Sequence, residues 1–276
     1  MTTESLPYTV LLILAQITAG SLATLSIFNL RFQLTRGYLL TSAATILSFA
    51  LLTSGTILSL EIPESISGFL INKEMENLTR LLLYGTVILS ALHLLSLWKL
   101  EPTISRILGA LAAIAGSAAI FALAALFSPP AWSYHIVVIN LALGSLVLGG
   151  SLMAMLWGHW YLTSGKLPKE PMVAMAKFTL GALLLHALST GIFSSLPAAS
   201  PPINEVAFGN LYLNANFWLR MSVGFGFPIA ATWLAWRAAL INGMMSTTGL
   251  LYLALGAILG GETLGRALFF TTGVTT

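Results

Sequence analysis

Apolar residues run along this chain in long blocks separated by short polar stretches. Eight of the blocks approach or exceed the roughly 20 residues a helix needs to cross a bilayer. They lie near 7–30, 37–60, 81–98, 107–128, 133–163, 172–194, 214–240 and 245–271. The pattern predicts an all-α fold: a polytopic transmembrane helix bundle of about eight spans, built as a single integral membrane domain over residues 1–276. The fifth block is longer than a membrane requires, so its helix is expected to tilt or protrude. Small residues recur inside the blocks, as in GALAAIAGSAA (109–119), GSLVLGG (144–150) and GAILGG (256–261). They permit the close helix approach on which packing in lipid depends.

Composition agrees with that reading. The chain is 57% hydrophobic and 8% charged, against roughly 25% charged in an ordinary soluble domain. Its net charge of +3 comes from a few residues at span ends, so no nucleic-acid partner is implied. There is no cysteine, which excludes disulfides, covalently attached haem, thiolate zinc sites and protein-bound iron–sulfur clusters. All nine acids are Glu, so a redox metal would depend on His, Met or Glu. The opening Met1-Thr2-Thr3-Glu4 has no basic n-region, and the first block is expected to remain as a span.

Basic residues set the orientation. One side receives Arg31, Arg36, Lys99, Arg106, Lys166, Lys169, Lys177 and Arg237, the other Lys73, Arg80, Arg220 and Arg266. By the positive-inside rule the first side is cytoplasmic and both termini face outward, in a bacterial or archaeal cytoplasmic membrane. Two outer connections are long. Residues 61–80, EIPESISGFLINKEMENLTR, mix charge with Ile, Phe and Leu as an interfacial helix would. Residues 195–213 carry Val, Phe, Leu and Tyr after a proline-rich turn, which suits folding back onto the helices or docking a partner. GMMSTTG after Asn242 reads as a turn followed by a helix start, and no internal repeat suggests an inverted-repeat transporter.

Depth along the spans sorts the candidate chemistry. His93 and His159 both fall toward the cytoplasmic ends of their spans. Together they form a possible axial pair for haem b, with His93 and His159 as its iron ligands. The competing reading of His159, set in WGHWY, is an interfacial aromatic belt, and His135 in PPAWSYH reads the same way. A second haem would use His135 and His186, but His135 and His159 stand about 36 Å apart along a straight helix, a long separation for fast transfer. In the outer half, Glu262 and Arg266 are four residues apart on one helix face. Arg220 enters the seventh span from outside, and His186 lies past the middle of the sixth. His186, Arg220, Glu262 and Arg266 are therefore expected to line a quinone pocket: His186 on a headgroup oxygen, Glu262 passing protons outward, the arginines setting the field. The alternative is that the arginines snorkel to the interface and Glu262 neutralises one of them.

The opening span, LPYTVLLILAQITAGSLATL, with Leu6-Pro7, Gln16 and Gly20, is similar to the start of membrane anchor subunits of the polysulfide reductase and dimethyl sulfoxide reductase family. The resemblance covers about 20 residues. It implies an eight-helix core, outward termini, a quinol site near the outer surface and electron transfer to an iron–sulfur subunit, usually without haem. The family's His-Leu-Gly segment after the second span has no counterpart in ILSFALLTSGTILSLEIPE, so no functional residue is carried over. The leading expectation is a membrane subunit of a respiratory oxidoreductase. It would exchange electrons with quinone or quinol and dock an extracytoplasmic redox subunit, being either non-catalytic itself or quinol-oxidising. A b-type cytochrome is the second form of that electron-transport class. A small-solute transporter and a membrane scaffold are the alternatives of another kind.

Overall fold

The computed structural model describes residues 4–99, 101–128, 133–164, 167–196 and 211–275. Long helices follow the apolar blocks closely: α1 (Leu6–Arg31), α2 (Arg36–Ser59), α3 (Glu76–Lys99), α4 (Pro102–Phe127), α5 (Tyr134–Ser164) and α6 (Glu170–Phe193). The seventh span is a continuous helical rod over 215–240. It comprises α7 (Ala215–Leu219), a π-helical segment (Arg220–Gly226) and α8 (Phe227–Leu240), and α9 (Met244–Thr272) follows after a tight turn. Seven of the helices are each long and apolar enough to cross a membrane, and the π-interrupted rod makes the eighth pass.

Local chemistry places the helix ends. Proline occupies the first turn of α1, α4 and α6, where the missing N–H would have had no helical partner, whereas Pro228 falls inside the continuous rod, directly after the π segment. Asn242, at φ 62°, makes the turn into α9, and Gly273, at φ 68°, ends that helix in the left-handed region. At 31 residues, α5 is about 46 Å long, well beyond the bilayer's apolar thickness.

Tyr8 packs its ring against both Phe127 and Phe270, with centroids 6.2 and 6.3 Å away. The start of α1 thus meets the ends of α4 and α9, and both termini lie at one end of the bundle. Helices α1 and α5 form its central pair. Gly20 and Gly149 bring the two backbones together so closely that a Cβ on either would overlap the other helix. One apolar core runs through the basic half around Tyr38, Trp157, Met172 and Leu251, and a second fills the terminal half around Leu11, Leu123, Phe127 and Phe270. Leu51, Leu58, Leu81, Ile114 and Leu188 point outward, which suits a hydrocarbon environment.

The connection over 61–80 differs from the expected interfacial helix. It is a β-hairpin, Ser65–Ile66 paired with Phe69–Leu70, followed by a short 3-10 turn at Lys73–Met75. Ser67 and Gly68, both at positive φ, form the two-residue turn that hairpin twist favours. Ile66 and Phe69 insert into the core, and the Asn72 N–H donates to the Leu126 carbonyl at 3.0 Å. Apolar residues that resemble one face of a helix are instead the inward side of a strand pair. Most of the second long connection, 197–210, lies outside the described residues, as does Lys166.

Candidate functional site

The terminal half of the bundle contains a buried ionic centre. Glu262 on α9 is its hub. Its Oε1 accepts a hydrogen bond from His186 Nε2 on α6 at 2.9 Å and one from Arg220 Nη2 at 3.2 Å. Its Oε2 accepts from Arg266 Nη2, one turn further along α9, at 2.8 Å. Arg220 Nη1 also donates to the Gly261 carbonyl, and Arg266 Nη1 to Asn140 Oδ1 on α5. No member of the quartet is more than 3% exposed. The two arginines therefore do not snorkel to the interface.

Counted from the helix ends, Arg220, Asn140, Arg266 and His186 lie about 7–10 Å inside the terminal end and Glu262 about 15 Å. At such depth an unpaired charge is expensive. Glycines make the room: a Cβ on Gly265 would overlap the Arg220 guanidinium, and one on Gly144 would press on Gln16, Glu262 and Arg266 together. Gly224 of the π segment packs directly on Gly261, bringing Arg220 against α9. The Phe225 ring lies 4.8 Å from the Arg220 guanidinium carbon and 5.2 Å from the imidazole centroid, so an aromatic face closes one side.

The 2.9 Å contact with Glu262 selects the imidazole's tautomer over the longer contact of Arg220 Nη2, 3.4 Å from the same Nε2, which would need that nitrogen bare. A carboxylate only accepts, so His186 Nε2 carries the proton that bonds Glu262. In the neutral ring Nδ1 is then a bare acceptor, and it is buried without a partner among the described residues. An imidazole with one nitrogen held by a carboxylate and the other free is arranged as a general base. With that ring neutral, one carboxylate and two guanidiniums leave the centre with a net charge of +1.

The four residues expected to share a site thus do so. Asn140, Phe225 and Gln16 also belong to it and were not singled out for it from sequence. Gln16 donates through Nε2 to the Leu141 carbonyl at 3.0 Å on the face of α5 that carries Gly144. A buried amide one helix turn before Gly20 was the available signal. The π-helical segment is a second such feature; its signal in the sequence is Pro228, inside the seventh apolar block and two residues past Gly226, and such distortions recur at functional sites.

His93 and His159 are not brought together. His93 Nδ1 donates to the Ser105 carbonyl at 3.0 Å, and its ring packs over Gly109 of α4. The cavity bordering it measures about 10 Å³. His159 is exposed and hydrogen-bonds through Nδ1 with the Tyr252 hydroxyl of α9 at 3.1 Å. The two rings serve different helix pairs, and the space beside His93 is far too small for a porphyrin, so these residues do not fit a shared haem. His135 is exposed at the start of α5 beside Tyr134, as an interfacial belt residue would be. Among the described residues no group of three or more His or Glu side chains is placed to hold a metal ion. No family model, no curated protein and no solved structure matches the chain.

Proposed function

We propose that this chain is the membrane subunit of a respiratory oxidoreductase and exchanges electrons with quinone or quinol at the centre around His186. The unpartnered Nδ1 of His186, on a ring whose other nitrogen is tied to Glu262, carries the reading. A quinol headgroup offers hydroxyl donors, and Nδ1 is an acceptor without a donor. Oxidation of a quinol yields two protons and two electrons. His186 would take the protons in turn through Nδ1, with Glu262 stabilising the imidazolium and passing protons toward the terminal end. Arg220 and Arg266 hold Glu262 in place and favour negative charge on the headgroup oxygen. The electrons leave to a redox subunit docked at that end. Leu185, Leu188, Val223 and Phe227 face outward on the same helices and supply an apolar wall for an isoprenoid tail.

Complete pairing of the Glu262 carboxylate favours a second reading, an ionic clasp that only fixes helix register. Titration of the purified protein with a short-chain naphthoquinol separates the two. Saturable binding that weakens at least tenfold in His186→Ala, with the fold retained, supports the quinol site. No saturable binding, or equal affinity in wild type, His186→Ala and the double variant His186→Ala/Glu262→Gln, leaves the clasp.

A further inference from the structure

The basic end of the bundle contains a different kind of site. A cavity of about 460 Å³ opens where α1 ends, α2 begins, and α3 turns into α4. Arg36, Lys99 and Arg106 line it, and no carboxylate does among the described residues. Arg36 is fixed in place: Nε donates to the Leu97 carbonyl at 3.0 Å and Nη2 to that of Trp98. Lys99 and Arg106 remain exposed, with no carboxylate paired to either. Ser105 also lines the cavity. It is only 3% exposed, its carbonyl is held by His93, and its hydroxyl has no hydrogen-bond partner. A buried hydroxyl without a partner costs free energy unless something supplies one.

We infer that this cavity binds the phosphate headgroup of an anionic phospholipid at the basic face of the membrane. Three cations meet the charge, and the Ser105 hydroxyl donates to a phosphate oxygen. The surroundings favour a lipid over a soluble anion. Trp98, 67% exposed, stands at the rim as interfacial tryptophans do, while Leu30, Leu95 and Ile107 lead away along the outer faces of α1, α3 and α4. A headgroup in the cavity leaves its acyl chains against those apolar faces. Basic pockets between spans on the cytoplasmic side are suited to such headgroups.

The test is native mass spectrometry on the delipidated full chain, titrated with phosphatidylglycerol, phosphatidylcholine or inorganic phosphate. Phosphatidylglycerol is expected to bind at least about tenfold more tightly than the zwitterionic lipid. Lys99→Gln/Arg106→Gln should weaken it about 30-fold, roughly fivefold for each cation removed. Ser105→Ala should weaken it severalfold without lowering the thermal stability of the delipidated protein, because the hydroxyl supports no contact of the fold among the described residues. Lys73→Gln/Arg237→Gln, exposed basic positions outside the cavity, should bind as wild type. Equal binding of both lipids, a preference that survives loss of Lys99 and Arg106, or an equal loss from the remote pair would overturn the inference. Displacement of the lipid by millimolar inorganic phosphate that itself binds would overturn the lipid assignment and leave a soluble-phosphate site.

Discussion

Replacing Glu262 with Gln keeps the side chain's shape and removes its charge. In the native centre the two carboxylate oxygens accept from three donors on three elements. A glutamine retains one acceptor oxygen, and its NH2 must turn toward either Arg266 or the His186–Arg220 pair, donor against donor. Two guanidiniums, 0% and 2% exposed, would be left without a counter-charge. Breaking a buried pair in this way costs about 3–5 kcal/mol. For a chain of this size, at roughly 2–4 °C per kcal/mol, the thermal midpoint should fall by roughly 6–20 °C. Tryptophan fluorescence during heating in detergent, with gel filtration of heated samples, measures it. The companion variant Glu262→Gln/Arg220→Met removes one stranded cation as well and should recover about half of the loss, because the two side chains share one interaction. A midpoint for Glu262→Gln within about 1 °C of wild type, or a double variant as unstable as the sum of the singles, would refute the ionic accounting.

Further perturbations probe the neighbours and the orientation. Asn140→Ala removes the second acceptor of Arg266 and should cost about 1.5–3 kcal/mol, seen as a lower midpoint in the same melt. Gly149→Ala places a methyl in the Gly20 backbone, so α1 and α5 must separate; loss of the monodisperse gel-filtration peak is expected, and a wild-type profile would contradict the close contact. A C-terminal alkaline phosphatase fusion should be active and a green fluorescent protein fusion dark if the termini face outward; the reverse pattern would invert the assigned topology.

The spans were legible because a bilayer demands about 20 apolar residues at a stretch and tolerates charge only at the ends, so α1 to α6 and α9 begin and end within a few residues of the apolar blocks. The ionic quartet was legible because depth converts from sequence position, and Glu262 and Arg266 must share a helix face. Depth says nothing about which way a side chain points around its helix. His93 and His159 fall at similar depth, yet one faces α4 and the other α9. The hairpin at 65–70 was hidden because a strand pair too short to show alternation was read by its mixture of charged and apolar residues, although Ser67-Gly68 is turn chemistry. The π segment Arg220–Gly226 lies immediately before Pro228, whose ring crowds the carbonyl four residues back and whose missing N–H interrupts the regular ladder; the packing of Gly224 on Gly261 and of Arg220 on Glu262 is tertiary and has no sequence signal.

The turn at residues 241–243 also bears on how the chain carries charge within the bilayer. It joins two arms of opposite electrostatic need: the first carries Arg220 and the second Glu262 and Arg266, each buried in the finished bundle. Roughly 2.5–3.5 kcal/mol is the cost of an arginine at the centre of a helix presented alone to lipid, an upper bound for Arg220 and Arg266, which lie nearer the terminal end. The turn is closed by a hydrogen bond from the Gly243 N–H to the Ala238 carbonyl at 2.8 Å, and the two arms lie side by side as one hairpin, Gly224 against Gly261. Arg220 and Glu262 thus pair within one helical hairpin, and α6 and α5 each add a single polar contact to it, His186 to Glu262 and Asn140 to Arg266.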